Sequence, residues 1–169
     1  MEYRQLRKNL NYAATWTTSY SNEMGRLFQG IGRNTEGTGQ RVEGTDTFFF
    51  VQYDDIPANR RKDTTYTLVV YDVCPQKEDP NPTQITIGGN RICYPGYVGT
   101  PTASLELFKL LINSVLYRKG VRFVCFDIKK FYLGTPLDRP KYAQIHLEDI
   151  PQEFIAEYNL TTYARGGWV

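Results

Sequence analysis

The stretch Val121-Arg122-Phe123-Val124-Cys125-Phe126-Asp127-Ile128-Lys129-Lys130-Phe131-Tyr132-Leu133 constrains this chain more than any other. Phe123, Val124, Cys125, Phe126 and Ile128 surround a single carboxylate. A continuous apolar run of this kind predicts a strand buried on both faces, with Asp127 at its end and partly open to solvent. An ionised carboxylate in such a place is costly unless a cation or several donors face it. A carboxylate at a strand end can hold a divalent metal through oxygen ligands and clamp phosphates in a two-metal phosphoryl transfer. The commoner outcome for one Asp in an apolar strand is plainer: it caps a turn or pairs with Arg122, Lys129 or Lys130. Read from the residues alone, both stay open, and the second is favoured.

At 169 residues the chain has room for one domain or two small lobes. Its 41% hydrophobic and 22% charged content is that of a soluble globular protein. The 13 Tyr and 9 Phe supply large burial areas to a modest core. A net charge of +2 neither demands nor excludes a nucleic-acid partner, because local patches matter more than the sum. Cys74, Cys93 and Cys125 lack ligand-like spacing and read as reduced intracellular thiols. His146 is the only histidine, so zinc sites and histidine-based triads are not expected. The N-terminus has no hydrophobic signal region, and no run approaches a membrane span. The expected location is intracellular, cytoplasmic or nuclear, and not secreted.

Trp16, Tyr20, Met24, Leu27 and Phe28 recur at helical spacing and predict a helix over 13–29, closed by Gly30 and Gly32. Gly30 to Gly44 carries five glycines and no apolar period, which predicts a mobile loop. Strands are expected over 46–53, about 64–73, and Thr83–Ile87, forming a small antiparallel sheet. Thr100-Pro101 reads as a helix start, with Leu105, Phe108, Leu111, Ile112, Val115 and Leu116 as the apolar stripe and Gly120 as the stop. Residues 141–147 alternate as a half-buried strand. Pro151 opens a short helix ending near Tyr158. The residues from Tyr163 to Val169 read as the start of a further element with nothing to close it. Two lobes follow, 1–100 and 101–169.

Phe126-Asp127-Ile128-Lys129-Lys130-Phe131-Tyr132-Leu133-Gly134-Thr135-Pro136 resembles the first catalytic motif of copia-type retrotransposon reverse transcriptases. Trp16 with Glu23 and Leu27 is similar to the helix that opens that domain. Pro75-Gln76-Lys77-Glu78, Ile87-Gly88-Gly89-Asn90-Arg91-Ile92, Tyr94-Pro95-Gly96 and Thr100-Pro101-Thr102-Ala103 are similar, in order, to the family's fingers-to-palm passage. Gly167-Trp168-Val169 looks like the lead-in to the next motif. The ordered set spans essentially the whole chain and is far more specific than any one piece.

The resemblance implies an α+β fold: a partial fingers and palm, with antiparallel sheets and packed helices. Residues 1–100 would form a fingers-like lobe with its N-terminal helix, and 101–169 an incomplete palm. Asp127 would be the first metal-binding carboxylate, for magnesium or manganese, with the main-chain carbonyl of Ile128 helping to hold the ion. Tyr132 would stand where the family keeps an aromatic gate against ribose 2′-hydroxyls, with Phe131 beside it in the nucleotide-binding part but more core than gate. RNA or DNA template–primer and dNTP would be the partners, with no membrane. Arg60, Arg61 and Lys62 could touch a template backbone, although a solvated turn is the commoner role for such a cluster.

Two departures from the family stand out. The fingers strand that usually carries triphosphate-binding cations reads Pro82-Thr83-Gln84-Ile85-Thr86-Ile87, with no Lys or Arg. No Asp-Asp pair follows Asp127; Glu148 and Asp149 would alternate faces of a strand. Two-metal transfer needs several converging carboxylates. The expected function is therefore the N-terminal fragment of an RNA-directed DNA polymerase, inactive alone. The alternatives are a non-catalytic remnant that binds nucleic acid, or a partner through an exposed palm edge, and a degenerate, marginally folded product.

Overall fold

The computed structural model describes residues 5–6, 9–33, 39–92, 96, 103–125, 131–134 and 137–169; for Phe131 and Tyr132 it describes the backbone alone. The fold is mixed α+β. Contacts divide the chain into two compact units, Met1–Cys93 with Leu133–Val169, and Tyr94–Tyr132. This division differs from lobes of 1–100 and 101–169, because Leu133–Val169 groups with the first unit.

In the first unit, α1 spans Ala13–Leu27. Its apolar stripe of Trp16, Tyr20, Met24 and Leu27, continued by Phe28, is buried throughout. Gly25 sits within this stripe for a steric reason. The chain doubles back after the helix, and a Cβ at Gly25 would lie 2.6 Å from Ile31 Cγ2. The segment expected to be a mobile loop is closed at its base: Ile31 and Val42 exchange backbone hydrogen bonds of 3.0 and 3.1 Å.

The expected strand over 46–53 does not form. Its amides are used elsewhere. The final carbonyls of an α-helix have no partner within it. Here Thr45 N donates to Arg26 O, Asp46 N to Phe28 O, and both Thr47 N and Phe48 N to Leu27 O. The segment thus caps α1 rather than joining a sheet. Its alternation still has meaning, because Phe48 and Phe50 pack against the core while Phe49 is exposed.

The sheet has three strands in the order β2-β1-β3, with β1 Thr65–Tyr71, β2 Thr83–Ile87 and β3 Ala143–Gln144. β1 and β2 pair antiparallel as expected, with Thr67 opposite Ile87 and Tyr71 opposite Thr83. β3 pairs with β1 in parallel, Thr65 opposite Ala143, so the sheet is mixed rather than purely antiparallel. Side chains alternate along β1: Val69 and Tyr71 face the core while Leu68 and Val70 are exposed. Trp16 of α1 meets Tyr71 edge-on at 5.4 Å. Ser19 donates to Asn81 O at 2.7 Å and lies 2.8 Å from Thr83 Oγ1, fixing α1 at the start of β2.

The strand expected over 141–147 shrinks to β3. Beyond it, Ile145 and Val169 exchange backbone bonds of 2.9 and 3.0 Å, and Leu147 N donates to Gly167 O at 2.8 Å. The last residues thus fold back onto 145–147 instead of beginning a separate element. α2, Leu105–Tyr117, belongs to the second unit; α3, Gln152–Tyr158, closes the first and ends at Asn159 in the left-handed conformation. Its Phe154 is fully buried and stacks on Tyr158 at 4.2 Å. Burying a side chain of that size contributes roughly 1.5–3 kcal/mol. Phe28, Phe50, Phe154 and Tyr158 make one aromatic cluster joining both ends of the chain.

In the second unit, α2 spans Leu105–Tyr117. Its N-cap is Ser104, whose hydroxyl accepts from Leu107 N at 3.2 Å; the expected start at Thr100-Pro101 lies outside the described residues. No residue of α2 is buried. Val121–Cys125 forms no strand and is exposed, with Val124 at 71%. This overturns the doubly buried strand for the part of that stretch that is described. A buried strand needs paired neighbours and two covering layers, and this segment has no ladder partner among the described residues. Within the unit, Phe108 meets Phe123 edge-on at 6.1 Å. Among the described residues, no helix is long and apolar enough to cross a membrane.

Candidate functional site

Asp127 and Ile128 lie outside the described residues. Tyr132 and Phe131 belong to a 3-10 turn, Phe131–Gly134, whose Leu133 packs against the core of the first unit. Among the described residues, no group of three or more His, Cys, Asp or Glu side chains could hold a metal ion.

Arg60, Arg61 and Lys62 lie on a 3-10 turn, Ala58–Asp63. The structure engages two of the three. Arg60 donates to Pro140 O at 2.6 Å, sits 3.8 Å from Asp63 Oδ2, and lies over the Tyr142 ring at 4.9 Å. It thereby anchors the turn to the segment leading into β3. Arg61 donates to Ile56 O and Asp54 O, both at 3.1 Å, and lies over Tyr53 at 4.8 Å. Lys62 is exposed. Cation–π contacts and carbonyl bonds of this kind hold a guanidinium in place, so Lys62 is the member of the cluster best placed for a phosphate backbone.

The clefts formed by described residues of the first unit include the following two. The first, of about 290 Å³, lies beside the β1–β2 connection and is lined by Glu23, Arg26, Asp72, Lys77, Thr83 and their neighbours. Arg26 is held by Glu23 through bonds of 2.8 and 2.6 Å. Lys77 enters through the turn, where its amide donates to Cys74 O at 2.9 Å. The Cys74 thiol donates to Asp72 at 3.2 Å. That bond, with burial, pushes the thiol above its ordinary range, and the same bond with the Val73 amide holds the Asp72 carboxyl below its own. A thiol so placed carries little thiolate and is a poor nucleophile.

The second cleft, of about 310 Å³, was not foreseen from the sequence. Its walls are Val51, Tyr53, Thr64, Gln144, Arg165 and Trp168, with three further apolar or aromatic neighbours, Ile56, Tyr163 and Val169. Arg165 donates to Asp54 at 2.9 Å and lies over the Tyr53 ring at 4.8 Å. Trp168 is braced edge-on by His146 at 4.8 Å. These residues come from segments more than a hundred positions apart, brought together by β3 pairing with β1 and by the fold-back of 165–169. No local motif marks them. The one available signal was the Trp168 aromatic, read only as a lead-in to a later motif.

Compared with protein-family models, curated proteins and solved structures, the chain matches none.

Proposed function

We propose that residues 1–169 are the fingers and first part of the palm of a copia-type retrotransposon RNA-directed DNA polymerase, working inside the cell on template–primer and dNTP. The observation that carries this reading is the order of the motifs, from Trp16 through Pro75–Glu78 and Ile87–Ile92 to Phe126–Pro136. Two features of the fold are compatible with it. Pro75–Glu78 lies in the connection of an antiparallel hairpin, β1–β2, and α1 packs against that hairpin. Lys77 lines a cleft there with Arg26, which offers cations near a strand that has none of its own.

In this reading Asp127 and the Ile128 carbonyl hold magnesium or manganese, which would neutralise phosphate charge as the bond to the new nucleotide forms. Tyr132 limits the space beside the sugar. Lys62 attracts the template backbone, a sequence-independent contact that weakens with salt. No Asp-Asp pair follows Asp127 within residues 1–169, so catalysis by these residues alone is not expected.

Template–primer affinity, measured by fluorescence anisotropy across a salt titration, tests the reading. Binding that weakens linearly in log salt supports it. No binding above background at low salt sinks it. Robust primer extension by residues 1–169 with magnesium would instead remove the claim that a second pair of carboxylates is required.

A further inference from the structure

The cleft between Tyr53 and Trp168 is unaccounted for by the polymerase reading. Its walls are mainly aromatic and aliphatic, and of its polar groups Arg165 is already bonded to Asp54. The Thr64 hydroxyl oxygen is buried and has no hydrogen-bond partner among the described residues. The Gln144 side-chain amide, offering both a donor and an acceptor, likewise has none among them. With almost no accessible surface, the Thr64 hydroxyl is closed off from the cleft, so Gln144 is the polar group there that a ligand can reach.

The rim adds charge. Arg61 and Arg165 both lie 4.8 Å from the Tyr53 ring centroid, and both pair with Asp54, at 3.8 and 2.9 Å. Two guanidiniums share the Asp54 carboxylate there. Asp54 weakens the pull on an anion, so recognition must come mainly from the walls. The chemistry asked for is a flat ring with a donor and an acceptor on its edge, carrying a negative group that can stay at the rim. Pockets for small ligands fall in this size range, and aromatic faces with amide side chains are how unpaired bases are held.

We propose that this cleft binds a single unpaired nucleobase, stacked on the Tyr53 and Trp168 side, read at its edge by Gln144, with its phosphate toward Arg165. In a strand this base belongs to single-stranded template, a role that rests on the polymerase reading. As a free nucleotide it does not.

The chain reports on the cleft directly. It has two tryptophans: Trp16 is 4% exposed in the core, and Trp168 is 43% exposed at the cleft. Quenching of intrinsic fluorescence is measured with a nucleoside monophosphate, a short single strand, the same strand made fully abasic, and an aromatic amino-acid amide. The expected result is saturable quenching by the base-bearing ligands, weakened about tenfold on removal of the bases or in Gln144→Ala. Should Gln144→Ala fold poorly, the abasic comparison needs no variant.

Equal binding and quenching by the abasic strand overturns the proposal, as does quenching by the amino-acid amide as strong as by the nucleotide, or no quenching at all. The two readings fail separately. Strand binding without dependence on bases removes the cleft and leaves the polymerase. Nucleotide quenching with no strand binding at low salt keeps the cleft and removes the polymerase.

Discussion

Arg41 and Glu153 meet through two parallel hydrogen bonds, Nη1 to Oε1 at 2.7 Å and Nη2 to Oε2 at 2.9 Å. The pair joins the segment after α1 to the first turn of α3, where a carboxylate also suits the helix dipole. Arg41 holds the Glu153 carboxyl below its ordinary value of 4.5. The stabilisation is therefore full above that value and is lost as pH falls through the lower folded value. Both side chains are over a third exposed, at 36% and 43%, so solvent screens the pair. Glu153→Gln should cost only about 0.2–1 kcal/mol at neutral pH and nothing below the folded value. Urea unfolding at several pH values measures this; an equal cost at acid and neutral pH would count against it.

Tyr158 ties α3 to the end of α1. Its hydroxyl accepts from Gln29 N at 3.0 Å and donates to Gly30 O at 2.5 Å. Tyr158→Phe keeps the ring stack on Phe154 but strands both backbone groups, and should lower stability by about 1–3 kcal/mol. Burial pushes the hydroxyl above the ordinary tyrosine value of 10.0. Its contribution is then present below that value and fades as pH rises through the folded one. Denaturation midpoints of wild type and Tyr158→Phe should converge at strongly alkaline pH.

Gly44 is required by the backbone beside it. A Cβ there would lie 2.2 Å from Phe28 O and 2.5 Å from Gly30 N, main-chain atoms that cannot rotate away. Gly44→Ala must displace the segment that caps α1, at a cost of about 1–3 kcal/mol or more. A melting temperature unchanged from wild type would show that this close approach is not maintained.

Within the basic turn, Arg60 and Lys62 should behave differently. Arg60 bonds Pro140 O and covers Tyr142, whereas Lys62 is exposed. Arg60→Ala is expected to lower thermal stability. Lys62→Ala is expected to leave stability alone and reduce the salt slope of template–primer binding by about one unit. The reverse pattern in paired melting and salt-titration experiments would reassign the phosphate contact.

The amphipathic stripe from Trp16 to Phe28, the strand pair around 65–71 and 83–87, and the short helix before Tyr158 were legible in the sequence. Each is set by local periodicity or by a turn residue within a few positions. The Phe48–Phe50 alternation was legible as an inside-outside pattern but misled as a strand. Periodicity reports which face is buried, not where the amides bond, and here they bond the end of α1. The run from Val121 to Cys125 failed for a related reason: apolar character predicts burial only when other elements arrive to cover it.

The sequence by itself determined an α+β chain with a buried N-terminal helix, a central antiparallel pair, and an ordered set of motifs centred on Asp127. Only the tertiary structure decided that residues 133–169 return to the first unit and that β3 joins β1 in parallel. It alone placed Tyr53, Gln144, Arg165 and Trp168 around one cleft. Helical and strand periodicity is fixed by neighbours along the chain. A cleft is fixed by contacts between residues more than a hundred positions apart, whose order along the chain carries no local signature.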